Sequence, residues 1–170
     1  YWFERYAKLP VDIDVASEFR YREMPLSMRS AALFVSQSGE TADTLASLRY
    51  CKSLGMKIGA IVNVRESTIA READSIFPTL AGPEIGVAST KAFTGQVAVL
   101  SLITLFLARR RFMSPDQCSR FIEELEAIPG KIERVLQQDA AIRKVAERYC
   151  ERENWLFLGR GYNYPTALEG

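Results

Sequence analysis

The fold is decided by the stretch AALFVSQSGET at residues 31–41. Its first five residues form a compact apolar run, which is typical of a strand buried on both faces. The polar residues that follow, together with Gly39, predict a turn. Residues 41–54 then carry apolar side chains at helical spacing, and Gly55 ends that helix. A strand, a polar turn and a helix in this order are the repeating unit of an α/β sheet.

The same alternation continues along the chain as far as residue 108. The pattern predicts further strands at 11–15, 58–62 and 75–77, and helices at 2–8, 67–72 and 89–108. Strands that alternate with helices favour parallel pairing, with helices on both faces of the sheet. The sequence therefore predicts an α/β fold built on a doubly wound parallel sheet.

The pattern changes at Ser114. This residue supplies a hydroxyl at the N-cap of a new helix, and Pro115 follows at the first helical position. Successive apolar stripes predict an all-helical connector over residues 114–150. The apolar run at 155–158 then predicts another strand, so a second α/β unit would begin near residue 151.

The composition excludes several classes of protein. The chain has 170 residues, 48% of them hydrophobic and 25% charged, with a net charge of +1, no histidine and three cysteines. The small net charge argues against nonspecific binding of nucleic acid. The apolar run at 97–108 is shorter than the ~20 residues of a membrane span, so we expect no membrane partner. The cysteines have no paired spacing, which favours a reducing, cytoplasmic location.

The turn after the first buried strand is a candidate anion site. Ser36, Gln37, Ser38 and Thr41 place hydroxyls and backbone amides at a helix N-terminus, where the helix dipole attracts an anion. Such a turn holds a phosphate monoester without a metal. The alternative is that Ser38 or Thr41 merely caps the helix, with Glu40 favouring its first turn. The local pattern leaves both interpretations open.

A second turn repeats this arrangement at the start of the long apolar helix. It runs from Val87 to Lys91 and offers the hydroxyl of Ser89 together with the Lys91 cation. A capped, buried helix explains the same residues. The sequence contains no Walker A motif, no zinc-ligand spacing and no complete dinucleotide fingerprint. We therefore expect neither a metal nor a cofactor.

A third candidate pair lies near the end of the chain. Glu169 is on the predicted helix that follows Arg160, so we expect the two side chains to face the same opening. A carboxylate beside a cation can move protons on a sugar hydroxyl or carbonyl. The alternative is that Glu169 is an ordinary glutamate on a helix surface.

Three segments, residues 36–45, 82–96 and 158–170, together resemble one family. They are similar to the isomerase region of glucosamine-6-phosphate synthase, the glutamine–fructose-6-phosphate aminotransferase. Residues 16–22 and 63–64 also match its pattern. The likeness spans nearly the whole chain and is more specific than a general sugar isomerase (SIS) domain signature.

This resemblance implies two SIS domains, each a doubly wound α/β domain. Residues 1–113 would form most of the first domain, which lacks its first strand. Residues 114–150 would form the connector, and residues 151–170 the beginning of the second domain. The resemblance also implies a homodimer and a glutaminase domain upstream in the full-length chain.

The resemblance implies roles for the candidate residues. The phosphate of fructose 6-phosphate or glucosamine 6-phosphate would be held by Ser36, Gln37, Ser38 and Thr41. Val87 and Ser89 would contact the sugar through backbone and hydroxyl. Arg160 and Glu169 match positions associated with ring opening and proton movement. The family adds glutamine-derived ammonia to the ketose phosphate and isomerises the product to the 2-amino aldose.

Parts of the family pattern do not occur in these 170 residues. They are the glutaminase half, the principal proton-transfer glutamate, the Schiff-base lysine and the histidine. We therefore expect no synthase activity from this chain alone, and turnover of fructose 6-phosphate with glutamine would contradict that expectation. A non-catalytic phosphosugar-sensing SIS module and a fructosamine-phosphate deglycase are the alternative functions.

Overall fold

The structure is a computed structural model, and it describes residues 1–22, 24–27, 29–86 and 89–170. The described residues form two compact units. The sheet unit comprises Trp2–Ala108, and the helical unit comprises Tyr1 together with Arg109–Gly170. The boundary falls close to the end predicted for the first domain at residue 113. The assignment of residues 151–170 to a second SIS domain stays a prediction.

Three parallel strands form the sheet, in the order β1-β2-β3. They are β1 (Ala31–Ser36), β2 (Lys57–Val62) and β3 (Ser75–Pro78). The register places Ser36 opposite Val62, and Val62 opposite Pro78. The three carboxyl ends therefore meet at one edge of the sheet. The predicted parallel α/β fold is confirmed.

Helices occupy most of the remaining chain. A five-residue π-helix, Phe3–Ala7, precedes the first α-helix. The α-helices are α1 (Ala16–Phe19), α2 (Ala42–Ser53), α3 (Thr68–Glu72), α4 (Lys91–Arg111), α5 (Pro115–Glu126), α6 (Ile128–Leu136), α7 (Asp139–Tyr149) and α8 (Asn163–Glu169). The helices predicted at 2–8, 41–54, 67–72 and 89–108 are thus found with small shifts of their ends, the first of them as a π-helix.

The main core of the sheet unit lies between α2, α3 and one face of the sheet. It is formed by buried apolar residues: Leu48, Cys51, Met56, Ile58, Ala60, Val62, Ile69 and Ala70. β2 contributes most because it is the central strand and is covered from both sides by its neighbours. Burial raises the pKa of the Cys51 thiol, so this cysteine behaves as a small apolar side chain.

α4 is longer and more apolar than the run at 97–108 suggests. It has 21 residues and a mean hydropathy of 1.6 in its most apolar window, which meets the length and composition of a membrane span. The core helix of a globular protein meets the same criteria. Ser101, Thr104, Leu105 and Ala108 are buried along one face of α4. Both buried hydroxyls donate to carbonyls one turn earlier, so burial leaves neither unpaired.

The strand predicted at 11–15 is wrong. The segment is irregular, and Ile13 is 89% exposed. The Asp14 carboxylate accepts hydrogen bonds from the Val15 amide at 2.8 Å and from the Arg22 guanidinium at 2.6 Å. Local bonds from an aspartate side chain to the backbone compete with strand pairing. Alternating apolar residues here lead into α1 instead of a strand.

The strand predicted at 155–158 is also wrong. This segment is irregular, and Leu156 and Leu158 are each 82% exposed. A strand needs neighbours whose backbone groups complete its hydrogen bonds. The helical unit, in the part that the structure describes, consists of helices and irregular segments. The apolar run therefore has no strand to pair with there.

The helix start at Ser114 is confirmed. Its hydroxyl accepts a hydrogen bond from the Gln117 amide at 3.2 Å, and the Gln117 side chain accepts one from the Ser114 amide at 3.1 Å. This reciprocal pair is a capping box. The helical connector is present as α5, α6 and α7, and α6 runs through Pro129 and Gly130 near its start.

Candidate functional site

The turn from Ser36 to Thr41 leaves β1 at the carboxyl edge of the sheet. Ser36 is 7% exposed, and its Oγ accepts a hydrogen bond from the Gly39 amide at 3.0 Å. The same Oγ lies 3.4 Å from Thr41 Oγ1, so one hydroxyl donates to the other. The hydroxyls at the two ends of the turn are therefore drawn together.

Gly39 allows this turn to press against α3. Its φ is +67°, and a Cβ atom there would lie 2.0 Å from Ser67 Oγ. The Gly39 carbonyl accepts a hydrogen bond from the Ile69 amide at 3.0 Å. A side chain at this position would have to adopt a left-handed conformation and displace Ser67. The close approach explains why glycine stands at the centre of the turn.

The N-terminus of α2 faces this turn without a side-chain cap. Its N-cap residue, Thr41, makes no side-chain hydrogen bond to the helix and is exposed. The first amides of a helix have no partner inside the helix, and they carry the positive end of its dipole. Gln37 and Ser38 belong to the turn that leads to this helix and are half-buried. The four predicted phosphate-binding residues are thus brought together around a helix end that can receive an anion.

The N-termini of α3 and α4 are occupied by carboxylates of the chain itself. Glu40 Oε1 accepts a hydrogen bond from the Thr68 amide at 2.6 Å, and Glu84 Oε2 accepts one from the Ala92 amide at 3.1 Å. The bond from the Thr68 amide lowers the pKa of Glu40 below its ordinary value, which keeps this carboxylate charged. An anion from solution would compete with these carboxylates at α3 and α4. α2 has no such competitor at its cap residue.

The charges beside α2 partly compensate one another. Asp43 lies in the first turn of α2 and would repel an anion there. The guanidinium of Arg20 is 3.4 Å from the Asp43 carboxylate, both side chains being partly exposed. Arg20 therefore reduces the negative charge at this end of the helix.

The second turn is only partly described. Val87, the predicted backbone contact to the sugar, lies outside the described residues. Ser89 is exposed, and its Oγ accepts a hydrogen bond from the Phe93 amide at 3.2 Å. This bond makes Ser89 a cap of α4. Its contact with a sugar stays a prediction.

Arg160 and Glu169 lie towards opposite ends of α8 along the chain. Arg160 precedes α8, and Glu169 is the last residue of that helix. Seven helical residues span about 10 Å, so the two backbones are separated by that order of distance. Both side chains are exposed. Their expected shared opening and their proposed catalytic roles stay predictions.

Two residues that organise the carboxyl edge are missing from the predicted site. Asn63 follows β2 directly and bonds to the segment after β3. Glu84 caps α4, as described above. The available signal was a polar side chain placed immediately after a buried strand, since such positions lie at the ligand edge of a parallel sheet. Within the described residues, no three acidic, cysteine or histidine side chains are grouped as metal ligands would be.

Comparison with known proteins identifies the family of this chain. Residues 1–106 match the SIS domain family. The whole chain is 60% identical to 28% of the glutamine–fructose-6-phosphate aminotransferase (isomerizing) of Mesorhizobium japonicum, and 58% identical to the same share of that of Rhizobium leguminosarum bv. viciae. The solved C-terminal domain of glucosamine-fructose-6-phosphate aminotransferase from Francisella tularensis superposes with a TM-score of 0.95 at 43% identity. That match covers 99% of this chain and 48% of the solved one, so the chain corresponds to a part of these enzymes.

Proposed function

The chain belongs to the SIS domain family, and from this premise we propose that its 36–41 turn binds the phosphate of fructose 6-phosphate or glucosamine 6-phosphate. One observation carries the proposal. Of the three helices that follow strands of the sheet, α3 and α4 have a carboxylate of the chain on their first amides, whereas the cap residue of α2 makes no such bond. The group that fits α2 is an external anion.

The hydroxyls of the turn are arranged to donate to that anion. Ser38 Oγ accepts a hydrogen bond from the Glu40 amide at 3.2 Å. A hydroxyl that accepts in this way still has its own hydrogen to give. Thr41 is exposed at the start of α2, and its hydroxyl keeps its own hydrogen when it accepts from Ser36 Oγ. Hydroxyl and amide donors together can bind a doubly charged phosphate without a metal.

The similarity to the aminotransferases also supports a proposal for the role of this chain within a longer protein. In the longer protein, this part would bind the ketose phosphate while ammonia from an upstream glutaminase domain is added. Val87 and Ser89 would contact the sugar, and Arg160 and Glu169 would serve ring opening and proton movement. We place such a protein in the cytoplasm as a homodimer. The sensor and deglycase alternatives are not favoured, because relatives of up to 60% identity bear the aminotransferase name.

Isothermal titration tests the phosphate site directly. The chain is titrated with glucosamine 6-phosphate and with glucosamine, and we expect binding of the phosphorylated sugar only. Ser38→Ala removes one donor at the turn and should weaken that binding about tenfold, the scale of one lost bond to a charged group. Ser119→Ala, on the exposed surface of α5, is the matched control and should leave the affinity unchanged.

Two results would contradict the proposal. Equal binding of glucosamine and glucosamine 6-phosphate would mean that the turn does not recognise phosphate. Equal affinity of the Ser38→Ala and Ser119→Ala variants would place any phosphate site elsewhere in the chain.

A further inference from the structure

Asn63 joins the ends of all three strands. Its backbone amide donates to the Gln37 carbonyl at 3.1 Å, which links it to the candidate phosphate turn. Its side-chain Oδ1 accepts from the Thr79 hydroxyl at 3.0 Å and from the Ala81 amide at 2.9 Å. Its Nδ2 donates to the Gly82 carbonyl at 2.6 Å. One half-buried residue thus makes four hydrogen bonds to segments distant in sequence.

The segment that Asn63 holds would not keep its shape unaided. Leu80 has a φ of +56° and Gly82 a φ of +69°, so two of four consecutive residues are left-handed. A left-handed conformation is unfavourable for leucine because its Cβ crowds the following carbonyl. Leu80 is also 73% exposed, so packing does not hold it there. The bonds from Asn63 to residues 79, 81 and 82 are the evident restraint on this conformation.

The restrained segment runs along the same edge as the phosphate turn. The Thr79 amide continues the sheet by donating to the Val62 carbonyl at 3.0 Å. Beyond Gly82 the chain reaches Glu84, whose carboxylate is fixed on the first turn of α4. The 36–41 turn and residues 79–86 therefore leave the sheet at the same edge, from β1 and β3, the strands on either side of β2. Asn63 stands between them and bonds to both.

We propose that Asn63 is a positioning residue, which sets the 79–86 loop at a fixed place beside the phosphate turn so that the two loops bind one sugar phosphate. This inference rests on the proposed phosphate site and extends it to the sugar part of the ligand. Asn63 acts through the loops and needs no contact with the ligand. Its loss weakens recognition of the sugar and leaves the phosphate turn with its own internal bonds at Ser36 and Gly39.

The test separates the sugar from the phosphate. Fructose 6-phosphate and inorganic phosphate are each titrated calorimetrically into the unaltered 170-residue chain and into the Asn63→Ala variant. We expect the variant to bind fructose 6-phosphate about tenfold more weakly, as for the loss of a bonded polar group. The affinity for inorganic phosphate should change less than twofold. A general loss of folding would lower both affinities together.

Two further variants make the test independent of the stability of Asn63→Ala. Thr79→Val removes one of the four bonds and leaves Asn63 in place, so it should shift the ratio of the two affinities in the same direction by a smaller factor. Asn154→Ala alters an exposed asparagine of the helical unit and should shift neither affinity. Hydrogen exchange of the Ala81 amide, protected in the unaltered chain, reports whether the bond to Asn63 exists in solution.

The outcomes distinguish this inference from the proposed function. The unaltered chain has to bind fructose 6-phosphate for the comparison. If Asn63→Ala and Thr79→Val then leave the ratio of the affinities for fructose 6-phosphate and inorganic phosphate unchanged, the role of Asn63 is refuted and the phosphate site stands. If the unaltered chain binds neither ligand, the proposed function fails and the inference fails with it. A rapidly exchanging Ala81 amide in the unaltered chain would also overturn the role of Asn63.

Discussion

The sheet unit and the helical unit both contain helices with apolar side chains but bury them to different extents. In the sheet unit, Leu48, Ile58 and Ile69 are fully or almost fully withdrawn from solvent. In the helical unit, none of the described residues 109–170 is buried. Its apolar stripes remain substantially exposed, as Val135 at 55% and Leu136 at 68% show.

The two units differ in what the apolar faces of their helices pack against. α2 and α3 lie over β2, a strand with neighbours on both sides, so their apolar faces close a core. α5 begins with a capping box, whereas α6 and α7 begin without a side-chain cap. None of the three has a sheet beneath it in its own unit. Because burial of apolar surface is the main stabilising contribution, we expect stability to be concentrated in the sheet unit.

Leu48→Ala should have the largest effect. Leu48 is fully buried in the core, so the change should lower the free energy of unfolding of the sheet unit by about 2–5 kcal/mol. Unfolding by urea measures this change in free energy. The two tryptophans divide between the units, so the fluorescence of Trp2 in a Trp155→Phe background reports the sheet unit.

Leu136→Ala is the chemically identical control in the helical unit. Leu136 is 68% exposed, and its truncation should change the free energy of unfolding by no more than about 0.5 kcal/mol. Trp155 in a Trp2→Phe background reports this unit. Comparable losses for the two leucines would show that the helical unit has a core in solution, and the contrast drawn here would not hold.

Gly39→Ala should have the next largest effect, and Gly161→Ala provides its reference. Both glycines are left-handed, with φ of +67° and +63°. Only at Gly39 would the new Cβ meet another group, Ser67 Oγ at 2.0 Å, whereas none lies within 4 Å at Gly161. We expect the free energy of unfolding to fall by about 1–2 kcal/mol for Gly161→Ala and by up to about 3 kcal/mol for Gly39→Ala.

The difference between the two glycine variants measures the contact between the phosphate turn and α3. Urea unfolding gives the stabilities, and titration with glucosamine 6-phosphate should show lost binding for Gly39→Ala alone. Equal destabilisation would indicate that the turn moves away from Ser67 freely. The turn would then be too loose to hold its hydroxyls around a phosphate.

The sequence predicted those features that depend on neighbours in the chain. The runs at 31–35 and 58–62 have the same character as the run at 155–158, and all three look like buried strands. The first two pair with each other, and the third has no partner in its unit. Apolar character was correctly recognised in each case. Whether a strand forms depends on pairing, which the local pattern does not contain.

The same distinction between local and long-range contacts applies to the candidate site. The turn at 36–41 could be predicted because all its residues lie between one strand and the following helix, and its binding of phosphate stays a proposal. The role of Asn63 could not, since its bonds reach residues 16 to 19 positions further along the chain. The shared opening expected for Arg160 and Glu169 stays a prediction, because it depends on packing around α8 that the local pattern does not contain.

Glu40→Gln should have the smallest effect, and its pH dependence identifies the cause. The Thr68 amide lowers the pKa of Glu40 in the folded chain below the ordinary value that it has in the unfolded chain. At a pH between these two values, the unfolded chain therefore binds more protons than the folded chain. The carboxylate therefore stabilises the fold above its ordinary pKa, and this stabilisation is lost as the pH falls through the lowered value. Glu40→Gln should be slightly less stable than the unaltered chain at pH 7 and equally stable in stronger acid.

Glu124→Gln in the helical unit sharpens this last comparison, because its charge has a different partner. The main cause of the lowered pKa of Glu124 is the positively charged side chain of Lys131. The main cause at Glu40 is the neutral Thr68 amide, to which the Arg71 charge adds a smaller effect. Salt screens a pair of exposed full charges strongly. The effect of Glu124→Gln on its unit should therefore fade with added salt, while that of Glu40→Gln on the sheet unit should largely persist. Unfolding curves at pH 7 in low and high salt measure both. If the Glu40 effect faded equally, the Arg71 charge rather than the Thr68 amide would be the main partner of its carboxylate.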